Sequence, residues 1–391
     1  MTYFIGLDLA KFKHDCFIIN ENGDVVRDSF SFTNDAAGFS TLLDALKALD
    51  PIQKKRIGLE ATGHYGSNLK IFLEGNGYSF MEINPILISR FAKATTLRRT
   101  KTDKIDARLI ALYLCSAEYK PYPVKSYHVR NLKSLCRARD CLVKERSKHL
   151  VKITNVLDLI FPEFKPFFNN KLNSATAMYL LENYSVPEKI AKMNIDSYSR
   201  MRSKLRNTIS YARFIELKEL AKNTIGNQDE ILTFELELYL ELFKELDSRI
   251  GLIESKILDE YKSVASHIDS LPGIGPLSAA GIYSEIGNIT RFNNADQLLA
   301  FAGLDPSRYQ SGEADYGGHM VKHGSSYLRQ YLMNVAETSL IHNPKLYEYY
   351  LKKKNEGKAH RVALSHVAKR LVRIIFALER NDTDFDMSKM R

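Results

Sequence analysis

The chain has 391 residues, 45% of them hydrophobic, enough for about two or three domains with a sizeable core. Lys and Arg number 56 against 46 Asp and Glu, a net charge of +10 at pH 7 that favours a polyanionic partner, most simply nucleic acid. No apolar run approaches the roughly 18 residues of a membrane helix, no signal peptide precedes the first predicted strand, and Cys16, Cys115, Cys136 and Cys141 lack metal-site spacing and read as reduced cytoplasmic thiols.

Residues 3–10, 14–19 and 24–32 predict three successive strands, with Asn20-Glu21-Asn22-Gly23-Asp24 turning between the second and third. A helix over 36–48 follows, capped by Asn34 or Asp35 and apolar at Phe39, Leu42, Leu43 and Leu46. Residues 56–60 predict a fourth strand. A helix from Tyr65 stops at Gly75-Asn76-Gly77, residues 78–83 predict a fifth strand, and helices continue to Tyr119. This order predicts an α/β domain, a mixed sheet with helices on its faces, closing near Pro121 and Pro123.

Four acids stand out in this part. Asp8 and Glu60 interrupt or end apolar strand-like runs, and Asp103 and Asp106 share a face of a predicted helix. Carboxylates on buried strands are costly unless paired or metal-bound. Four of them on a basic chain point to a divalent-metal site for phosphate chemistry. Arg98, Arg99, Lys101 and Lys104 crowd the last two and are candidates for holding phosphates, with local charge balance as the alternative.

The second part is helical. No Pro or Gly interrupts residues 128–159, and over 130–152 eight cations (Arg130, Lys133, Arg137, Arg139, Lys144, Arg146, Lys148, Lys152) face only Asp140 and Glu145. That imbalance predicts a phosphate-tracking surface. A second long helix starts near Glu230, and its apolar seam (Leu232, Leu236, Tyr239, Phe243, Leu246, Ile250, Ile253, Ile257) has coiled-coil spacing. The seam pairs either with the first helix, folded back antiparallel, or with another subunit. Residues 165–229 between them read as a compact helical insertion.

The third part opens at Leu271-Pro272-Gly273-Ile274-Gly275-Pro276, which reads either as a phosphate-contacting turn or as an ordinary interhelical turn. It continues through Arg291-Phe292-Asn293-Asn294-Ala295-Asp296-Gln297-Leu298-Leu299-Ala300-Phe301-Ala302-Gly303-Leu304-Asp305-Pro306-Ser307-Arg308-Tyr309-Gln310-Ser311-Gly312, then Gly317-Gly318-His319-Met320-Val321-Lys322-His323-Gly324 and Leu328-Arg329. With the four acids in order, the chain resembles transposases of the insertion-sequence-110 family over nearly its whole length.

The resemblance implies a RuvC-like (RNase H-fold) domain over 1–125, a coiled-coil domain with a helical insertion over 126–268, and a mainly α C-terminal serine domain over 269–391. It implies Asp8, Glu60, Asp103 and Asp106 as ligands of Mg²⁺ or Mn²⁺ and Ser311 as the nucleophile, with Ser307 and then Ser325 as alternatives. Members of the family resemble site-specific recombinases that use a structured guide-type RNA pairing with target and donor DNA. Arg98, Arg99, Lys101, Lys104, Arg137, Arg139, Arg146, Lys322 and Arg329 are the candidate nucleic-acid contacts. The implied assembly is a homodimer or homotetramer in the prokaryotic cytoplasm, with no membrane partner. A metal-dependent, structure-selective nuclease that leaves no covalent serine adduct, and a non-catalytic RNA-binding module, are the competing functions.

Overall fold

The computed structural model describes residues 1–61, 65–95, 103–121, 127–227, 229–311 and 314–390, without the side chains of 103–104, 127–128 and 307–319. Arg98, Arg99 and Lys101 therefore lie outside the described residues, as do the side chains of Asp103, Lys104, Ser307 and Ser311. The chain forms two compact units, Met1–Val124 and Lys125–Arg391.

The first unit is built on β1 (Thr2–Leu9), β2 (Lys13–Asn20) and β3 (Val25–Thr33), then α1 (Ala36–Lys47), β4 (Lys54–Glu60), α2 (Ser67–Gly75), β5 (Phe80–Ile83), α3 (Pro85–Thr95) and α4 (Asp103–Ser116). The strands lie in the order β3-β2-β1-β4-β5, with β1–β2 and β2–β3 antiparallel and β1–β4 and β4–β5 parallel. Alternation splits the strand residues between two cores. Ile5, Leu7, Cys16, Ile18, Ile57 and Leu59 face Leu42 and Leu46 of α1 and Leu69 and Leu73 of α2. Phe4, Phe17, Ile19 and Ile83 face Ala107, Ile110, Ala111 and Leu114 of α4. This mixed sheet with helices on both faces fits the RuvC-like expectation. Asp35 is the cap of α1, accepting from the Gly38 amide at 2.8 Å.

Gly6 seats α4 on the sheet. A Cβ there would stand 2.1 Å from the Ala107 carbonyl oxygen and 2.6 Å from the Ala111 nitrogen, both backbone atoms that cannot rotate away. Gly58 is its register partner on β4 and packs under Leu114. Gly6→Val is therefore expected to push α4 off the sheet and to lower unfolding free energy by about 2–3 kcal/mol. Denaturant unfolding checks this: an unchanged midpoint would show that α4 does not rest on β1.

The second unit begins with α5 (Tyr127–Ile160), continues through α6 (Phe164–Phe167), α7 (Ala175–Asn183), α8 (Pro187–Ala191), α9 (Ile195–Lys204) and α10 (Tyr211–Lys222), and returns along α11 (Glu230–Lys262). No described helix pair packs more extensively than α5 and α11. They run antiparallel, since Arg139 reaches Glu254 whereas Arg146 reaches Asp247. Leu236, Phe243, Ile250 and Ile257 of the predicted seam are buried, each contributing up to roughly 1.5–3 kcal/mol. Of the two readings of this seam, the folded-back first helix is the partner present. Helices α6–α10 close a separate core around Phe161, Phe164, Leu180, Phe214 and Leu217.

The remainder comprises α12 (Pro276–Ile286), α13 (Ala295–Ala302), a hairpin of β6 (Pro306–Ser311) and β7 (Ala314–Met320), α14 (Ser326–His342), α15 (Pro344–Asn355) and α16 (His360–Asn381). Its core joins Leu132 and Cys136 of α5 to Ile282, Leu332, Val367 and Leu371. The Pro-Gly-x-Gly segment is an interhelical turn against α14. Gly273 has φ +94°, its added Cβ would meet the Ser339 Cα at 2.6 Å, and its carbonyl accepts from Thr338 Oγ1 at 2.7 Å.

The chain's last residues fold back through His267, which lies 2.7 Å from Asp384 and 3.0 Å from Asp382. The hydrogen bond to Asp384, then that to Asp382, raises the imidazole above its usual range. Folding therefore favours the protonated ring. That contribution is fully present below the unfolded value of about 6.5 and is lost as pH rises through the higher folded value. Amide exchange around 382–390 is expected to rise relative to the rest of the fold between pH 6 and pH 8.5, and His267→Gln should remove that pH-dependent step. An equal step in the variant would discount the contact.

Candidate active site and nucleic-acid interface

Strand register builds the acid row of the first unit. Gly6 pairs with Gly58, and Leu7 with Leu59, on adjacent parallel strands. Side chains alternate, so Asp8 and Glu60 emerge from the face carrying α4, at the carboxyl ends of β1 and β4. Asp106 precedes Ala107, the residue resting on Gly6, so the start of α4 meets the strand ends where those acids lie. Asp8, Glu60 and Asp106 are all half-buried. The fold thus directs three of the four predicted acids to one edge, with Asp103 contributing its backbone position one turn earlier on α4.

Sequence reasoning missed a fifth acid on that face. Asp15 of β2 stands directly opposite Asp8 in the antiparallel ladder and is 1% exposed. Ser31 of β3 donates to its Oδ1 at 2.5 Å, and Lys13 Nζ is 3.8 Å from its Oδ2. The row across the sheet is therefore Ser31, Asp15, Asp8, Glu60. Its signal was available: in Lys13-His14-Asp15 alternation sends His14 into the α1 core, beside Phe32 and Phe39, and Asp15 to the other face.

Among the described residues, no three His, Cys, Asp or Glu side chains stand close enough to close a metal site by themselves. The donor chemistry nevertheless fits a hard divalent cation: carboxylates from three separate elements, directed to one edge.

The second unit carries its own candidate element, the β6–β7 hairpin, which the polar, glycine-rich sequence did not predict. Ser311 is the last residue of β6, paired with Ala314 at the hairpin tip, whereas Ser307 falls at a register irregularity near its base. Backbone bonds close the neck, with the Val321 amide donating to Asp305 at 3.0 Å and the Ser325 amide to Phe301 at 2.7 Å. Arg329 completes it: one guanidinium nitrogen reaches the Ala302 carbonyl at 3.2 Å and the Lys322 carbonyl at 3.4 Å. Lys322 is exposed at the hairpin exit and has φ +57°, a left-handed conformation uncommon for lysine.

Ser325, the most distant serine alternative, caps α14. Its Oγ accepts from the Leu328 amide at 3.2 Å and donates to Glu285 Oε2 at 3.0 Å. The Glu285 side chain is 2% exposed and also receives Arg137 Nε at 2.7 Å and Lys133 Nζ at 3.2 Å. Burial works to raise this carboxyl, but the Arg137 hydrogen bonds and the charges of Lys133 and Arg137 outweigh it and hold it below the usual range. Nearby Asp140 goes the other way, raised by burial that Tyr331 and Arg139 only partly offset.

The predicted basic face of α5 thus has acidic partners supplied by other helices. Arg137 meets Glu285, Arg139 meets Glu254 at 2.6 Å and Arg146 meets Asp247. Arg137 also lies over the Tyr327 ring at 4.6 Å. Of these, Arg146–Asp247 is exposed and exchanges partners at little cost, Arg139–Glu254 is half-buried, and the buried Glu285 pair is far harder to open.

Two family models match the chain. One, described as a transposase of the DEDD IS110 type, spans residues 5–162 and contains the acid row. The other, described as the transposase IS116/IS110/IS902 family, spans residues 265–351 and contains the hairpin. Similar proteins align over almost the full length. An uncharacterized 44.8 kDa protein of insertion element IS116 from Streptomyces clavuligerus is 24% identical, covering 97% of this chain and 94% of its own. The mini-circle putative transposase for IS117 from Streptomyces coelicolor is 25% identical, covering 95% and 92%. The pilin gene-inverting protein of Moraxella bovis is 23% identical, covering 98% and 97%. The DEDD match supports dependence on a divalent metal and action on DNA. No described helix is long and apolar enough to cross a membrane. With matched regions that hold both the acid row and the hairpin, and relatives aligned nearly end to end, this chain belongs to the IS110 family and is a DNA transposase of the recombinase type.

Proposed function

We propose that the protein cleaves and rejoins DNA through a phosphoserine intermediate, with Ser311 as nucleophile and Asp8, Glu60, Asp103 and Asp106 holding Mg²⁺ or Mn²⁺. The observation that carries this reading is the placement of Asp8 and Glu60 on one face at the ends of adjacent parallel strands, inside the matched DEDD region. A bound cation supplies charge stabilisation at a phosphate in transit. The Ser311 hydroxyl oxygen bonds to DNA phosphorus, one phosphodiester bond breaks to leave a free DNA hydroxyl, and attack of a DNA hydroxyl on the phosphoserine reverses the step without ATP. Hairpin placement supports Ser311 over Ser307, because the tip is the part of β6 furthest from the clamped neck.

In this reading residues 1–125 hold the metal, 126–268 form a coiled coil with its helical insertion, and 269–391 carry the serine. A structured non-coding RNA pairs with target and donor DNA, and a homodimer or homotetramer works on the nucleoid in the cytoplasm. Arg98, Arg99, Lys101 and Lys104 beside the acids, Arg137, Arg139 and Arg146 on α5, and Lys322 and Arg329 near the hairpin neck hold phosphates. The net charge of +10 supports such contacts.

Denaturing electrophoresis of protein incubated with DNA and Mg²⁺ tests the chemistry. A DNA-dependent, denaturant-stable adduct that maps to Ser311 by mass spectrometry is the expected result. Cleaved DNA with no adduct would replace this reading by that of a metal-dependent structure-selective nuclease. Binding without cleavage would leave an RNA-binding module.

A further inference from the structure

One carboxylate of the acid row has no part in the proposed chemistry. Asp15 is the cross-strand partner of Asp8, and alternation with Phe17 and Ile19 puts it on the face that α4 covers. Only 2% of its side chain reaches solvent. Residues directly opposite in an antiparallel ladder have Cβ atoms about 4.5–5.5 Å apart, and like charges so placed repel.

Its neighbours offset that charge only in part. Ser31 Oγ donates to Oδ1 at 2.5 Å, which holds the carboxylate toward β3. Lys13 Nζ stands 3.8 Å from Oδ2, beyond hydrogen-bond distance, on a side chain that is 53% exposed and screened by water. Arg108 of α4 is engaged with the Phe17 ring, 5.8 Å from its centre. A tie between β2 and β3 needs no ion: a serine or asparagine at position 15 would accept from Ser31 without the cost of burying a charge. A carboxylate kept buried beside Asp8 points to a use for the charge itself.

We propose that Asp15 is a positioning residue of the cation site, acting through Asp8. It fills the space over β2 on that face, so the Asp8 carboxylate is driven the other way, toward Glu60 on β4 and the start of α4. Its negative charge also strengthens the attraction that a divalent cation feels at the row. Burial keeps Asp15 from serving as a ligand. The proposal rests on the chain's dependence on a divalent metal and on Asp8 as a ligand, and is independent of Ser311.

Calorimetric titration of the full chain with Mn²⁺, thermal midpoints without metal, and DNA cleavage across a Mg²⁺ series test this together. Asp15→Asn keeps the side-chain shape and an acceptor for Ser31. It is expected to weaken Mn²⁺ binding about tenfold, as loss of a partner behind a metal ligand does. The Mg²⁺ concentration for half-maximal cleavage should rise by a similar factor, while the rate at saturating Mg²⁺ stays within about twofold of wild type. The metal-free midpoint should hold or rise, because the repulsion with Asp8 is relieved. Lys13→Gln alters an exposed side chain, so unfolding does not confound it, and it should shift Mn²⁺ affinity the opposite way, upward. Asp44→Asn, an exposed carboxylate on α1 across the sheet, should change neither affinity nor cleavage. A residue that merely ties β2 to β3 gives the reverse pattern in Asp15→Asn, a lower metal-free midpoint with wild-type Mn²⁺ affinity. That pattern, wild-type affinity in both Asp15→Asn and Lys13→Gln, or cleavage that saturating Mg²⁺ does not restore would overturn the proposal. Wild-type Mn²⁺ affinity in Asp8→Asn would sink the cation site itself, and this role with it.

Discussion

Ser311→Ala is expected to abolish both DNA cleavage and the covalent adduct, by at least about 10³-fold, the scale on which removal of a nucleophile is felt. The substitution removes one oxygen from a strand residue whose partner across the hairpin is already alanine, so the backbone has no reason to move. DNA and RNA affinity should therefore persist. The other two serines give distinguishable outcomes. Ser307 lies at the irregular base of β6, and Ser307→Ala should keep most activity. Ser325→Ala loses a helix cap and the hydrogen bond to buried Glu285, so its deficit should appear as about 1 kcal/mol of stability. Full strand exchange by Ser311→Ala, or an adduct on Ser307 or on a tyrosine, would overturn the assignment.

Asp8→Asn should lose cleavage by a comparable margin through a different cause, the removal of one negative ligand from the cation site. Its thermal signature separates it from simple damage. Asp8 faces Asp15 across the ladder, so without metal the neutral amide relieves repulsion and the midpoint should hold or rise. With Mg²⁺ the wild-type midpoint should climb, because a ligand that binds the folded state alone stabilises it, and the variant's should not. Asp106→Asn should behave alike. Equal Mg²⁺ responses in wild type and variant would remove Asp8 from the metal set.

The sheet was legible because its strands carry apolar residues at alternate positions and its turns carry Asn and Gly; β1, β2, β4 and α1 fall within a few residues of the pattern. The acids were legible because a carboxylate in an apolar run needs a reason to be there. What escaped depends on partners distant in sequence. Over 130–152 the charges look unbalanced, yet Arg139 and Arg146 find Glu254 and Asp247 more than a hundred residues on, and Arg137 finds Glu285 on α12. No local count can anticipate that. The hairpin escaped for the opposite reason: Ser307-Arg308-Tyr309-Gln310-Ser311 has no apolar face, so pairing between its own strands organises it rather than burial. Asp15 was visible as a residue but not as a neighbour, because only the register places it beside Asp8.

That register also sets which changes of length the first unit tolerates. Removing one residue between Thr2 and Leu7 would turn Asp8 into the apolar core of α1 and α2 and bring Leu9 to the α4 face in its stead. The protein would lose a ligand and acquire a buried charge in the same event. Removing two restores the pleat but shortens the strand from its start, away from the acids. Insertions and deletions compatible with function therefore belong in the turns, at 10–12, 21–24 and 48–53, where the chain length between strands does not decide which side of the sheet an acid faces.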